Sequence, residues 1–444
     1  MTLGGGLLQL VAQGKQDVFL TGNPQITWFK MVYRRYTNFA VESQYIPFDG
    51  DPDFGRRLTC TIPRRGDLLG PLILEVTLPE LYYTDNTLAA YVNSLGHALI
   101  EEVSVEIGEQ EIDKHTGEWM EIWSELTIPA GQRQGFNNMI GRVDGSLPPP
   151  TTYPPSSAVA QGTVAYQYGA VKLYIPFQFW FNKNPGLYLP LLAMQYHTVR
   201  INLKLRSLDQ LVFQAGAPAT TDTCPPPTQV KKNRILDIRL YGDYIHLDVE
   251  ERRRFVANSH EYLIEQVQYT PKVGIVAANT TATIPLEFNH PMRELLWVLQ
   301  RDAVEANNEW FNFSSTSTQE PGLRQDMLQD AVLQLDGYDR FETRDAGYFR
   351  LVQPWQRHSN VPIGTFIYCY TFAIKPEELQ PSGSCNASRI DTMKLQISLR
   401  PDSNLATTDP NFVPTRGNSH IRVYATNHNV LRVVNGFAGL LFKI

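Results

Sequence analysis

The sequence predicts an all-β chain of two tandem jelly rolls. Each is an eight-stranded antiparallel β-sandwich with short helices in its connections. Three observations carry this. Short segments of alternating apolar and polar residues recur between turn signals. Glycine and proline are abundant, 30 each in 444 residues, with aromatics at 11% and charged residues at only 19%. One supersecondary block also appears twice, half a chain apart.

The block is clearest at 103–122. Val103, Val105 and Ile107 alternate with Ser104 and Glu106, Gly108 makes a turn, and a short return strand ends at Ile112. After Gly117 comes a helix with Trp119, Ile122, Trp123 and Leu126 at i, i+3, i+4 and i+7, a stripe that reads as core. The second copy runs from Ala331. Leu333 and Leu335 continue its alternation, Asp336-Gly337 is a strong hairpin turn, Phe341 closes the return strand, and Phe349 and Val352 follow Gly347. The separation of Leu335 from Ile107 is nearly the same as that of Val352 from Ile122. Further on, between "RINLKL" and "KLQISL", the separation is clearly shorter. One insertion in the first copy explains the change, and a Pro-rich stretch lies in that interval. Trp119 and Phe349 are then expected to be equivalent core anchors of the two rolls.

Residues 1–40 form an N-terminal arm, locally basic at Lys30, Arg34 and Arg35, with a Gly22-Asn23-Pro24 turn. "QITWFKMVYRRY" is expected to form a short helix after it. Such an arm either packs on its own domain or reaches a partner or an inner surface. The first roll covers 41–212, with strands at "VESQYIPF", "RLTCTIP", "PLILEVTLP", "VKLYIPFQFWF" and "HTVRINLKL". Leu88, Tyr91, Val92 and Leu95 have helical spacing over 85–95. Residues 129–170, with Pro148 to Pro150 and Pro154-Pro155, read as a long irregular loop. Residues 213–230 have the composition of a linker. The second roll covers 231–444. In it Asp248 caps a short helix, and "HEYLIEQVQYT", "TATIPLEF", "ELLWVLQRD" and "FIYCYTFAI" are strands, with two more at the end.

Chemistry is sparse. The net charge of −6, from 39 basic and 45 acidic residues, is spread without blocks and supports no broad nucleic-acid-binding face. The sequence contains no HExxH, CxxC, G-x-S-x-G or phosphate loop, so no catalytic, cofactor or metal residue is assigned. The acidic turn Asp49 to Asp53 fails as a calcium loop, because Phe54 stands where glycine is needed and Cys60 where the bidentate glutamate belongs. His115 with Glu118 does not make a cupin-type cluster, and His197, His246 and His260 read as structural. Four cysteines suit a reducing compartment, with a Cys369–Cys385 bridge as the alternative. Asn279, Asn312 and Asn386 head N-x-S/T sequons, the candidates for N-glycosylation. The N-terminus does not read as a signal peptide, and no run of about 18 apolar residues is present.

Four stretches carry a family resemblance: "GGGLLQLVAQGKQDVFLTGNPQITWFKMVYRR", "NPGLYLPLLAMQYHTVRINL", "ERRRFVANSHEYLIEQVQ" and "PSGSCNASRI". In this order they resemble the major capsid proteins of nucleocytoplasmic large DNA viruses, among them phycodnaviruses, iridoviruses and marseilleviruses. The resemblance implies a non-enzymatic structural protein of the virion, assembled in the host cell, in the cytoplasm. It implies a double jelly roll, three copies of which form a homotrimer, the pseudo-hexameric capsomer. Capsomers meet neighbouring capsomers in an icosahedral shell. The arm would face minor capsid proteins and an internal membrane, the 129–170 loop an outward tower. No cofactor and no sequence-specific nucleic-acid binding are implied. The alternatives are a minor capsid or penton-type jelly-roll protein, which needs only one roll, and a carbohydrate-binding or cupin-like protein.

Overall fold

The computed structural model describes residues 5–79, 81–82, 88–142, 167–168, 170–215, 234–315, 325–400 and 417–442. They form two compact units, residues 1–38 and 39–444. In the first unit, helices span Gly5–Val11 and Asp17–Thr21, and the Asp17 carboxylate accepts from the Gly14 amide at 2.7 Å. The helix expected at 25–36 does not form. Its β-branched and aromatic residues have low helix propensity, and its apolar positions run together without a helical stripe.

The second unit holds both rolls. The first has strands β1 (Phe39–Ile46), β2 (Arg57–Thr61), β3 (Leu68–Leu78), β4 (Ile100–Ile107), β5 (Gln110–Thr116), β6 (Val171–Pro176), β7 (Val199–Leu205) and β8 (Asp237–Leu247). They form two antiparallel sheets, in the orders β1-β8-β3-β6 and β2-β7-β4-β5. The second roll has β9 (His260–Tyr269), β10 (Thr281–Pro285), β11 (Pro291–Arg301), β12 (Leu328–Leu335), β13 (Tyr338–Asp339), β14 (Ile367–Thr371), β15 (Met393–Leu399) and β16 (Ser419–Val434). Its sheets run β9-β16-β11-β14 and β10-β15-β12-β13. The two orders match strand for strand, so the repeat read from the block extends through the whole roll. The hairpin turns correspond as well. Gly108 and Glu109 sit at φ 57° and 68°, Asp336 and Gly337 at 48° and 84°. Positive φ at both central residues gives the turn whose twist matches that of its flanking strands.

Alternation decides the faces. In β7, Val199, Ile201, Leu203 and Leu205 point into the core, while Arg200 and Lys204 point out and pair with Glu106 and Glu101. β11 is buried along nearly its whole length, with the continuous apolar run Leu295–Leu299 at its centre and buried polar residues at either end.

Four boundaries differ from the sequence reading. β8 pairs with β1 and β3 and so completes the first roll, whereas 231 was expected to open the second. Its apolar alternation identifies a strand but not the sheet that takes it. Val212–Ala215 pairs with Leu88–Tyr91, so the linker starts later than 213, and its remainder at 216–230 lies outside the described residues. The same pairing makes 88–91 a strand rather than helix, and the helix there is Leu95–Leu99. Cross-strand bonding outweighs a weak helical spacing. Within 129–170, Ala130–Ile140 is a helix closed by Gly141 at φ 70°. The prolines at 148–155 lie outside the described residues.

Candidate functional site

The described chemistry of this chain concentrates at the seam between the rolls. Its centre is helix α1, Gly117–Thr127, which follows β5 directly. Thr116 caps it, its hydroxyl accepting from the Trp119 amide at 3.1 Å. A Cβ on Gly117 would stand 2.1 Å from the His97 carbonyl oxygen and 2.3 Å from that of Ile100, so only glycine lets the helix begin so close to its neighbours.

Every residue from Gly117 to Leu126 is buried, because α1 is covered on two sides. The stripe of Trp119, Ile122, Trp123 and Leu126 packs into the core of the second roll, with Trp297 and Phe349. Met120 packs into the first. Trp119 is 1% exposed, stacks on Trp123 at 5.4 Å and meets Tyr424 of β16 at 5.5 Å. Trp119 and Phe349 therefore share one core instead of anchoring one roll each. In exchange, Ile264, Leu431 and Val433 of the second roll enter the core of the first.

The polar side of α1 is held by charge. His97 Nδ1 lies 2.6 Å from Glu121, Ser94 donates to Glu121 at 2.8 Å, and Arg142 pairs with Glu121 at 2.7 Å. Arg142 and Arg133 also pair with Glu125. Burial pushes the Glu121 carboxyl up, but Arg142, His97 and Ser94 outweigh it and hold it at about 2. This is what a buried carboxylate requires: partners on all sides.

Three further ionic groups cross or flank the seam. Glu265 of β9 takes Lys183 of the first roll at 2.9 Å and Arg293 at 2.5 Å. Burial pushes its carboxyl up, and the two cations hold it at about 2. Arg422 of β16 meets Glu118 at 3.3 Å, and Tyr424 bonds Thr116 at 3.0 Å. His358 lies between Glu294 and Glu377, each at 3.1 Å, with its ring edge-on to Trp123. Burial alone would lower the His358 pKa, but Glu294 and its other partners raise it well above the ordinary value. Two residues on, Asn360 donates its amide to Leu126 O at 2.9 Å and its side chain to Glu125 O at 2.7 Å. The second roll thus satisfies the last carbonyls of a first-roll helix. Such an arrangement fixes geometry; it gathers no nucleophile, base and open cavity in one place.

The sequence candidates fall elsewhere. His115 bonds Asp113 at 2.9 Å and stacks on Phe179, while Glu118 turns to Arg422. His197 bonds Ala438 O at 2.8 Å and His260 bonds Phe255 O at 2.7 Å, while His246 lies 3.6 Å from Glu42. Among the described residues, no group of three or more His, Cys, Asp or Glu could hold a metal, and no helix is long and apolar enough to cross a membrane. Cys60, Cys369 and Cys385 are free thiols, so the Cys369–Cys385 alternative is not formed, and Cys224 lies outside the described residues. Asn279 and Asn386 are exposed on the second roll. Asn312 is 6% exposed, with its amide donating to Glu309 at 2.8 Å and its carbonyl accepting from the Ser314 hydroxyl at 2.6 Å. A glycan does not fit there in this fold.

Sequence reasoning missed the seam itself. A signal was present: Glu118, Glu121 and Glu125 line one face of α1, beside its tryptophan stripe. An apolar stripe backed by three acids reads as a surface helix, and only the cations at 133, 142 and 422, remote in sequence, make it a buried one.

Two jelly rolls of one strand order, fused through shared cores, define a double jelly-roll structural protein. The comparisons agree. Residues 27–248 match the family model for the major capsid protein N-terminus, and residues 251–439 match that for the large eukaryotic DNA virus major capsid protein. The chain is 39% identical to the major capsid protein of Pyramimonas orientalis virus and 37% to that of Phaeocystis pouchetii virus, over 99% of this chain and 100% of each relative. A chain of the PBCV-1 virus capsid quasi-atomic model superposes with a TM-score of 0.76 at 31% identity, covering 94% of this chain and all of that one. The Faustovirus major capsid protein shares the fold, at a TM-score of 0.72 and 14% identity over 95% of this chain and 94% of that one. The chain belongs to the major capsid proteins of large eukaryotic DNA viruses, and it is a structural component of the virion.

Proposed function

We propose that three copies associate into a capsomer of pseudo-sixfold outline, and that capsomers tile an icosahedral shell around an internal membrane. The observation that carries this reading is the matched strand order of two rolls that share their cores. Three such chains present six similar units, which lets one gene product approach hexagonal packing. Contacts within the trimer should bury on the order of 2,000 Å² or more per pair, as in obligate oligomers. The role is association, with no turnover. The arm would contact minor capsid proteins and the membrane, and Asn279 and Asn386 are the sequons open to glycosylation. The full-length matches to major capsid proteins favour this over a minor or penton-type protein and over a carbohydrate binder. Native mass spectrometry of the purified protein tests it. A particle of three times the 50.4 kDa chain mass is expected; a stable monomer at micromolar concentration would overturn it.

A further inference from the structure

Within the chain, the contact between rolls is head-to-tail. The first roll offers its β5 edge and helix α1. The second offers the face of β9 and β16 that carries Tyr269 and Tyr424, direct cross-strand partners with rings 5.7 Å apart. Tyr424 takes the Trp119 ring and the Thr116 hydroxyl.

Each roll carries the counterpart of both halves, and in each the unused half is open. On the first roll, Tyr45 of β1 pairs directly with Tyr241 of β8, rings 6.2 Å apart, at the same place in the strand order as Tyr269 and Tyr424. Yet Tyr45 is 44% exposed, and Val41, on the same face of β1, is exposed too. On the second roll, the edge is β13 with the short strand Arg344–Asp345, both paired to β12, and the helix that follows is Tyr348–Arg357, a π turn running into an α turn. Tyr338 is 81% exposed, Trp355 is 75% exposed, and Leu351 and Val352, on the same helix as Trp355, are exposed too. Leu351 and Trp355 stand one turn apart, so they share a face of this helix. Large aromatics left in solvent on an edge and on a helix face mark an interaction surface. What covers such a surface in this fold is shown inside the chain, where the same two kinds of surface cover each other.

We propose that the Tyr348–Arg357 helix and the β13 edge of one copy dock on the Tyr45–Tyr241 ladder of a second copy of this chain. The contact between chains thereby repeats the contact between rolls. Each copy has one of each surface, so the interface is heterologous, and such contacts close into a ring when the rotation permits. The proposal rests on the trimer reading and says which surfaces build it.

Three proteins test it by native mass spectrometry: wild type, Trp355→Asp, and the double variant Val41→Asp with Tyr45→Asp. All three side chains are exposed, so the folds should persist, which far-UV circular dichroism checks; Val352→Asp replaces Trp355→Asp if that variant does not fold. Wild type at three times the chain mass and each variant at 50.4 kDa are expected. Each variant keeps one sound surface, so mixing the two should give a heterodimer of twice the chain mass and no ring. A monomeric wild type overturns the trimer reading and this proposal with it. A trimeric wild type with trimeric variants overturns only the surfaces named here. Monomeric variants that give no heterodimer on mixing overturn the head-to-tail pairing.

Discussion

Replacing Trp119 by alanine separates a shared helix from a first-roll core residue. The side chain is 1% exposed and touches two aromatic rings, Trp123 at 5.4 Å and Tyr424 at 5.5 Å. Truncating a buried tryptophan costs about 3–5 kcal/mol, of which two ring pairs supply roughly 0.5–1.5 kcal/mol each. With an unfolding entropy of about 2.1 cal/mol/K per residue, 444 residues give roughly 0.9 kcal/mol/K, so a loss of about 4 kcal/mol lowers Tm by about 4–5 °C. Calorimetry reads that shift, and hydrogen exchange reads its location. Because Trp119 lies in the second roll's core, protection should fall in β16 around Tyr424 as well as in α1. A loss under about 1 kcal/mol, well below the range for a buried aromatic, would refute the shared helix. So would a loss confined to the first roll with β16 unchanged.

Gly117→Ala should cost several kcal/mol or abolish soluble expression, since the new methyl meets two backbone oxygens at 2.1 and 2.3 Å; wild-type denaturant unfolding of that variant would contradict the close approach. Asn360→Ala should cost about 1–3 kcal/mol, because it removes the side-chain donor to Glu125 O, and urea unfolding measures it. Glu265 has a folded pKa of about 2 against an ordinary 4.5, so its contribution is fully present above pH 4.5 and is lost as pH falls towards 2. That is roughly 3 kcal/mol, and Glu265→Gln should remove that part of the acid limb in stability–pH curves. His358 runs the other way: its raised pKa gives stability that is present below pH 6.5 and lost as pH rises through the folded value, a slope that His358→Gln should abolish. Expressed in a glycosylating host, the protein should lose glycan mass with Asn279→Gln or Asn386→Gln and none with Asn312→Gln, as intact-mass measurement would show.

The rolls were legible because they are written in local signals. Alternation in β3 and β7, the turn residues at 108 and 336–337, and the cap at Asp248 all act within a few residues. The duplication was legible because equal spacings survive where identities do not. The seam was not, because its partners are remote from one another in the sequence. Nothing local in Glu121 announces His97 and Arg142, and nothing in Asn360 announces the end of a helix at 127. The placement of β8 failed for a related reason: a strand's alternation shows that it has a core face, while its sheet is chosen by hydrogen bonds to β1 and β3. Burial at Asn312 was equally invisible, since a sequon has the same letters inside or outside a fold.

A reconstruction of the purified oligomer by electron cryo-microscopy, at a resolution that shows side chains, tests the central claim most directly. The account predicts a threefold particle with six rolls in a ring, each Trp355 covered by the Tyr45–Tyr241 ladder of its neighbour. A particle of another symmetry, or a threefold one with Trp355 in solvent and the rolls meeting through other faces, would contradict it.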